Sequence, residues 1–162
     1  MSARLKGRYA FVTMLALYGA SLAAQMPNPY GAPITLEAAR KPVAAARAEA
    51  LKNNWTMAIA IVDTSGNLVY YEKMDNTQIA SATVAIDKAR SAVLYKRPTK
   101  AFQDGVAAGG AGLRILRLQG AMPVEGGQPI LLDGKIIGAI GVSGDTSEHD
   151  NQCAMAGLAA LK

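Results

Sequence analysis

The sequence contains few of the residues from which metal sites and hydrolase active sites are built. Its 162 residues include one histidine (His149), one cysteine (Cys153) and one tryptophan (Trp55). A single cysteine excludes a disulfide within the chain, and a structural zinc site needs about four His, Cys or carboxylate ligands. A hydrolase triad would have His149 as its only conventional base, and no nucleophile-elbow motif is present. The chain is instead rich in small apolar residues, with 51% hydrophobic and only 6% aromatic residues.

The net positive charge is also small once the amino terminus is set aside. Three basic residues among the first eight supply part of the formal net charge of +5, and residues 1–23 hold no acid. An apolar stretch of 16 residues (9–24) follows, which is short for a membrane span. It contains Ser21-Leu22-Ala23, a pattern typical of signal peptidase sites. We therefore expect a cleaved signal peptide (1–23), rather than an anchor, and a periplasmic or secreted mature chain of charge +2.

Two glycine-rich stretches lack the spacing of nucleotide-binding loops. Gly138, Gly141 and Gly144 stand three residues apart, which differs from the dinucleotide fingerprint at its first step. Residues 109–112 lack the Gly-Lys-Ser/Thr ending of a P-loop. A mature charge of +2 without a basic stripe also argues against nucleic acid as a partner. The glycines are predicted to allow close packing and a tight turn from strand to helix.

Hydrophobic periodicity and turn signals predict helices that alternate with two β-hairpins. Hairpins make an antiparallel sheet, and helices between them form layers on it, so we expect one α/β domain. Strand 56–63 is apolar on both alternating sets, which is typical of a central strand covered on both faces. In order, the predicted elements are an extended lead-in (24–33), a helix from Thr35 to about Asn54 containing Pro42, strands 56–63 and 68–74, a helix (79–95), a short helix from Thr99 to about Ala108, a hairpin turning at Asp133-Gly134, and a last helix capped by Thr146 or Ser147.

His149 and Cys153 stand four residues apart on one face of the predicted last helix. The helix dipole keeps an imidazole near the amino terminus neutral, which suits a metal ligand. Two ligands alone do not make a metal site. The residues therefore leave open a metal-binding or a solvated His149, and a buried, metal-binding or intersubunit-bonded Cys153.

Lys88 is the other residue with two interpretations. Its helix carries an apolar stripe at helical spacing that is predicted to face the sheet, and Lys88 lies off that stripe. It is either a solvated lysine or a contact to a ligand or partner. The stripe consists of Ala82, Ile86, Ala89 and Val93.

Four segments, in this order, resemble the GlcG/HbpS family. They are residues 58–75, 85–99, 126–144 and 147–161, and the resemblance covers residues 34–162. The family includes extracellular haem-binding proteins and a domain found beside corrinoid adenosyltransferases. The resemblance implies a profilin-like three-layer α/β/α domain with a five-stranded antiparallel sheet, assembled into dimers or larger oligomers.

The resemblance also implies a function and a set of site residues. We expect an exported homo-oligomer that binds haem or a similar flat, apolar small molecule, without a permanent membrane anchor. The alternatives are a small enzyme or accessory subunit acting on a small organic acid or aldehyde, or an interaction module of a sensor or dehydrogenase system. No catalytic residue is predicted. The candidate cofactor-binding residues are Lys88, Arg97, Thr99, Ser143, Gly144 and His149. His149 is the candidate iron ligand, at a position where the family often has Gln or Glu. The next candidates for the iron ligand are Met74, Tyr70, Tyr71 and Met122.

Overall fold

The computed structural model describes residues 26–161, so the predicted signal peptide lies outside the described residues. Helices cover both faces of one antiparallel sheet, as the alternation of helices and hairpins predicts. No helix within 26–161 combines the length and the apolar character that a membrane span requires. The elements are α1 (Leu36–Lys52), β1 (Ala58–Val62), β2 (Leu68–Lys73), α2 (Ser81–Leu94), α3 (Lys100–Ala107), a 3₁₀ helix (Gly110–Arg117), β3 (Gly127–Leu132), β4 (Lys135–Ser143) and α4 (Ser147–Ala159).

The two predicted hairpins are present and lie side by side in the order β2-β1-β4-β3. In the first turn, the Asp63 carboxylate accepts hydrogen bonds from the backbone N–H groups of Ser65 and Asn67. In the second turn, Asp133 and Gly134 both have positive φ, of 48° and 72°. Two positive φ angles are what a two-residue Asp-Gly hairpin turn requires.

The sheet of residues 26–161 has four strands, so the prediction of five is wrong. The described part of the proline-rich lead-in (26–33) runs beside β4, where its strand pairing is limited to an isolated parallel bridge from Tyr30 to Ile136. Its backbone bonds include those from Gly31 to Ile136 and from Ile34 to Ile137. Because proline has no N–H to donate, the three prolines of this segment prevent a continuous ladder.

Each face of the sheet is covered by helices, which confirms that β1 is a central strand. Ala58, Ala60 and Val62 pack on the α2 side, whereas Ile59 and Ile61 pack on the side of α1 and α4. All five residues of β1 are buried. The order of layers is therefore α1 with α4, then the sheet, then α2.

The face that α2 turns to the sheet is displaced by one residue from the predicted stripe. Ala89 and Val93 are buried as expected, but Ala82 and Ile86 are only half-buried. The buried row also includes Ser81, Ala85, Lys88 and Ala92. Small residues fill this row because α2 lies directly on β4, where a Cβ at Gly141 would overlap the carbonyl oxygen of Ala85.

Candidate functional site

A buried ion pair connects α2 with α4 near the end of the sheet. Lys88 Nζ lies 2.6 Å from Asp150 Oδ2 and donates a second hydrogen bond, of 3.1 Å, to the carbonyl oxygen of Val142. Lys88 and Asp150 keep only 1% and 3% of their side-chain surface exposed. The second carboxylate oxygen of Asp150 accepts from the backbone N–H of Asp145. Lys88 is therefore neither solvated nor on the outer face of its helix.

Burial acts on both charges of this pair. It lowers the pKa of Lys88, against the opposing effect of the Asp150 charge. It raises the pKa of Asp150, against the charge and hydrogen bond of Lys88. Removing one partner of a buried pair leaves an uncompensated charge, which makes the two residues dependent on each other.

Three other predicted site residues lie around this pair. Thr99 forms two hydrogen bonds with Gly127: its N–H donates to the Gly127 carbonyl (3.0 Å), and its Oγ1 accepts from the Gly127 N–H (2.9 Å). Ser143 Oγ is 3.1 Å from Ser81 Oγ. A Cβ at Gly144 would overlap the carbonyl oxygen of Thr56. Lys88, Thr99, Ser143 and Gly144 thus belong to one closely packed region, and their role as ligand contacts stays a prediction.

His149 lies in the first turn of α4, and its ring contacts Trp55 instead of the Lys88–Asp150 pair. Its ring stacks on the ring of Trp55, with the centroids 3.9 Å apart and the planes at 14°. Its Nδ1 lies 3.3 Å from Asp145 Oδ1, and 38% of its side chain is exposed. Such an imidazole is held in orientation and remains within reach of a ligand.

Trp55 also lines a cavity of about 520 Å³, here called the Trp55 cavity. Its apolar wall consists of Leu51, Trp55 and Met74. Two basic residues, Arg47 and Lys73, stand in the same wall, and Arg47 Nε lies 3.2 Å from Glu72 Oε1. The remaining lining residues are Asn54, Thr56 and Asp75. The cavity thus combines apolar and aromatic groups with two cations and two carboxylates, those of Glu72 and Asp75.

The sequence did not single out Arg47, Trp55 or Lys73 as site residues. They come from the end of α1, the segment before β1 and the end of β2, and only the folded chain brings them together. The one available signal was that Trp55 is the only tryptophan.

Arg97 occupies a third environment. Its guanidinium carbon lies 5.2 Å from the centre of the Phe102 ring, and its Nε donates to the carbonyl oxygen of Tyr95. Tyr70 packs on the side of α1, and Tyr71 on the side of α2, so the pair places one ring on each face of the sheet. The backbone N–H of Met122 donates to Ser91 Oγ.

Cys153 and His149 occupy different environments. Cys153 is fully buried in the core, and burial raises the pKa of its thiol to about 12, which opposes the thiolate that a metal needs. Among residues 26–161, no group of three or more His, Cys, Asp or Glu side chains could hold a metal ion. The buried thiol was one of the predicted alternatives and is confirmed.

The family model described as "Haem degrading protein HbpS-like" matches residues 34–159. The chain belongs to this family. It is 40% identical over 101 residues to Protein GlcG of Escherichia coli K12, a match that covers 62% of this chain and 74% of GlcG. The resemblance inferred from the sequence motifs is therefore confirmed.

Two solved structures extend this relationship to the fold. The crystal structure of HbpS has a TM-score of 0.74 and 30% identity, and the match covers 86% of this chain and 98% of that chain. The crystal structure of a PduOC:haem complex has a TM-score of 0.72 and 28% identity, and the match covers 79% and 94% of the two chains. The HbpS-like fold is thus shared by a protein whose structure contains haem.

Proposed function

We propose that this HbpS-like protein is an exported homo-oligomer that binds haem, or a similarly flat and apolar molecule, in the Trp55 cavity. The family description and the PduOC:haem complex support haem as the ligand. The observation that carries the location is the composition of the cavity wall, which places an aromatic ring and two cations around one space of about 520 Å³.

The residues of this cavity fit the chemistry of haem. Pockets for small ligands generally have volumes of about 300–1,000 Å³ and mostly apolar walls. The Trp55 ring and the Leu51 side chain would supply apolar contact for a porphyrin. Lys73 and Arg47, which also pairs with Glu72, would supply charge-assisted hydrogen bonds for its two carboxylates. Bound haem would supply an iron centre for redox or ligand-binding chemistry.

Two side chains are candidates for the iron ligand. His149 is the stronger, because Asp145 holds its Nδ1 side and Trp55, which lines the cavity, lies against its ring. Met74 stands in the cavity wall, but its sulfur already accepts a hydrogen bond, of 3.4 Å, from the backbone N–H of Met57. Because Asp145 lies at Nδ1, Nε2 is the ring nitrogen that would bind iron.

A hemin titration followed by absorbance tests the site. We expect saturable binding by the wild type and at least about tenfold weaker binding by the double variant Arg47→Gln/Lys73→Gln, since two carboxylate contacts are lost. The matched control is Arg40→Gln/Lys41→Gln, which removes two exposed charges of α1 outside the cavity and should bind like the wild type. An absent Soret change in the wild type contradicts haem binding, and equal weakening in both variants contradicts this location.

A further inference from the structure

A second, smaller cavity lies between α3 and the 3₁₀ helix, and we call it the Phe102 cavity. Its volume is about 200 Å³. The 3₁₀ helix lies so close to α3 that a Cβ at Gly112 would overlap the carbonyl oxygen of Gly105. Apart from two arginines, the wall consists of apolar residues and one glycine, namely Ala101, Phe102, Ala111, Gly112, Ile115 and Leu118.

Both charged residues in this wall are cations, Arg97 and Arg114. The Arg97 guanidinium lies over the Phe102 ring, and its Nε donates to the Tyr95 carbonyl. Arg114 Nε donates to the carbonyl oxygen of Ala111, at 2.9 Å. These contacts place Arg97 against the Phe102 ring and Arg114 at an exposed position of the 3₁₀ helix, both in the cavity wall. Among residues 26–161, the wall of this cavity includes no acidic residue.

Volume and charge together define the ligand class. At about 30 Å³ per water-sized group, the cavity holds about six or seven non-hydrogen atoms, which is too few for a porphyrin. Guanidinium groups pair with carboxylates, and an apolar wall favours a hydrocarbon body. We propose that the Phe102 cavity is a binding site for a small monocarboxylate with an apolar body, separate from the haem proposed for the Trp55 cavity.

Isobutyrate has the proposed size, and its binding to the mature protein without haem is measured by NMR titration. We expect saturable binding, with a dissociation constant of about 1 mM or tighter and shifts centred on residues of the Phe102 cavity. Arg114→Gln should weaken binding at least about tenfold, because one charge-assisted contact is lost. The matched control is Arg117→Gln, an exposed arginine of the same 3₁₀ helix outside the cavity wall, which should bind like the wild type.

Three further titrations separate charge from shape. Isobutyramide, the neutral amide of the same acid, and inorganic phosphate, an anion without an apolar body, should each bind at least about tenfold more weakly than isobutyrate. Ala111→Leu, which fills the cavity from an exposed position, should abolish isobutyrate binding.

The proposal is overturned by absence of saturable isobutyrate binding, or by equal binding to wild type and Arg114→Gln. It is also overturned if isobutyramide or phosphate binds as tightly as isobutyrate, or if the shifts lie away from the Phe102 cavity. Circular dichroism confirms that each variant is folded, so that loss of binding reports on the site.

Discussion

Lys88 and Asp150 place opposite charges 2.6 Å apart where neither side chain reaches water. We expect Lys88→Met to lower the free energy of unfolding by about 3–5 kcal/mol, because Asp150 then stands as a buried carboxylate without a counter-ion. Urea unfolding measures the loss. The control is Lys41→Met, at an exposed position of α1, which should show no measurable change.

The loss of unfolding free energy in Lys88→Met should depend on pH. Burial raises the pKa of Asp150 above its ordinary value of 3.8, whereas the charge and hydrogen bond of Lys88 lower it, so their loss in the variant raises this pKa further. A carboxyl whose folded pKa is raised contributes stability at low pH and loses it as the pH rises through that pKa. Relative to wild type, the variant should therefore be weakest near pH 7 and recover as the pH falls toward 3.8. A deficit that grows on acidification would contradict the unpaired-carboxylate explanation.

His149 is the residue whose substitution should change the haem spectrum without abolishing binding. In His149→Ala the iron loses a ligand, whereas the apolar wall of the Trp55 cavity stays in place. Absorbance of the hemin complex should show a shifted Soret band with an affinity near that of the wild type. An unchanged spectrum would mean that another residue is the iron ligand, and Met74 is the next candidate.

Among the elements, the boundaries were largely predictable and the packing face of α2 was not. Thr35 Oγ1 accepts from the Ala38 N–H, and Thr146 Oγ1 accepts from the His149 N–H, as caps at those positions should. Residue hydrophobicity favoured Ile86 over Ser81 as a sheet-facing position. Instead, the small polar side chain of Ser81 occupies this position, in hydrogen-bond contact with Ser143, which is 62 residues away in the sequence.

A substitution of Thr99 tests how the start of α3 is held against β3. It stands at the N-cap position, but its hydroxyl accepts from Gly127 and not from the helix. Thr99→Val keeps the shape and leaves the buried Gly127 N–H without an acceptor, so we expect a loss of about 1–3 kcal/mol in unfolding free energy. Hydrogen exchange at Gly127 should accelerate in parallel. Thr83→Val, at an exposed position of α2, serves as the control and should leave both measurements unchanged.

At the scale of the whole molecule, the fold was predictable but the Trp55 cavity was not. Family motifs and hairpin signals indicate the layered antiparallel domain. The cavity forms where side chains of α1 and β2 lie next to Trp55, and no local sequence pattern predicts which side chains are brought together there. Pro27, Pro29 and Pro33 likewise account for the missing fifth strand, although their effect on strand number is visible only beside β4.

Export and assembly are predictions for the intact molecule. The exported protein should begin near Ala24, and intact mass measures whether residues 1–23 are removed. The 3₁₀ helix exposes Leu113 and Leu116 to 49% and 60%, and apolar surface of this kind favours association between copies. Light scattering at micromolar concentration should give a multiple of the mature chain mass. The mass of a single chain would contradict the oligomer.

Haem in the Trp55 cavity is the central claim, and a crystal structure of the hemin-treated protein with iron anomalous scattering tests it most directly. We predict one iron peak per chain, with the porphyrin against Trp55, its carboxylates at Arg47 and Lys73, and the iron within bonding distance of His149 or Met74. Hemin bound elsewhere on the chain, or crystals without iron after saturating treatment, would contradict the account.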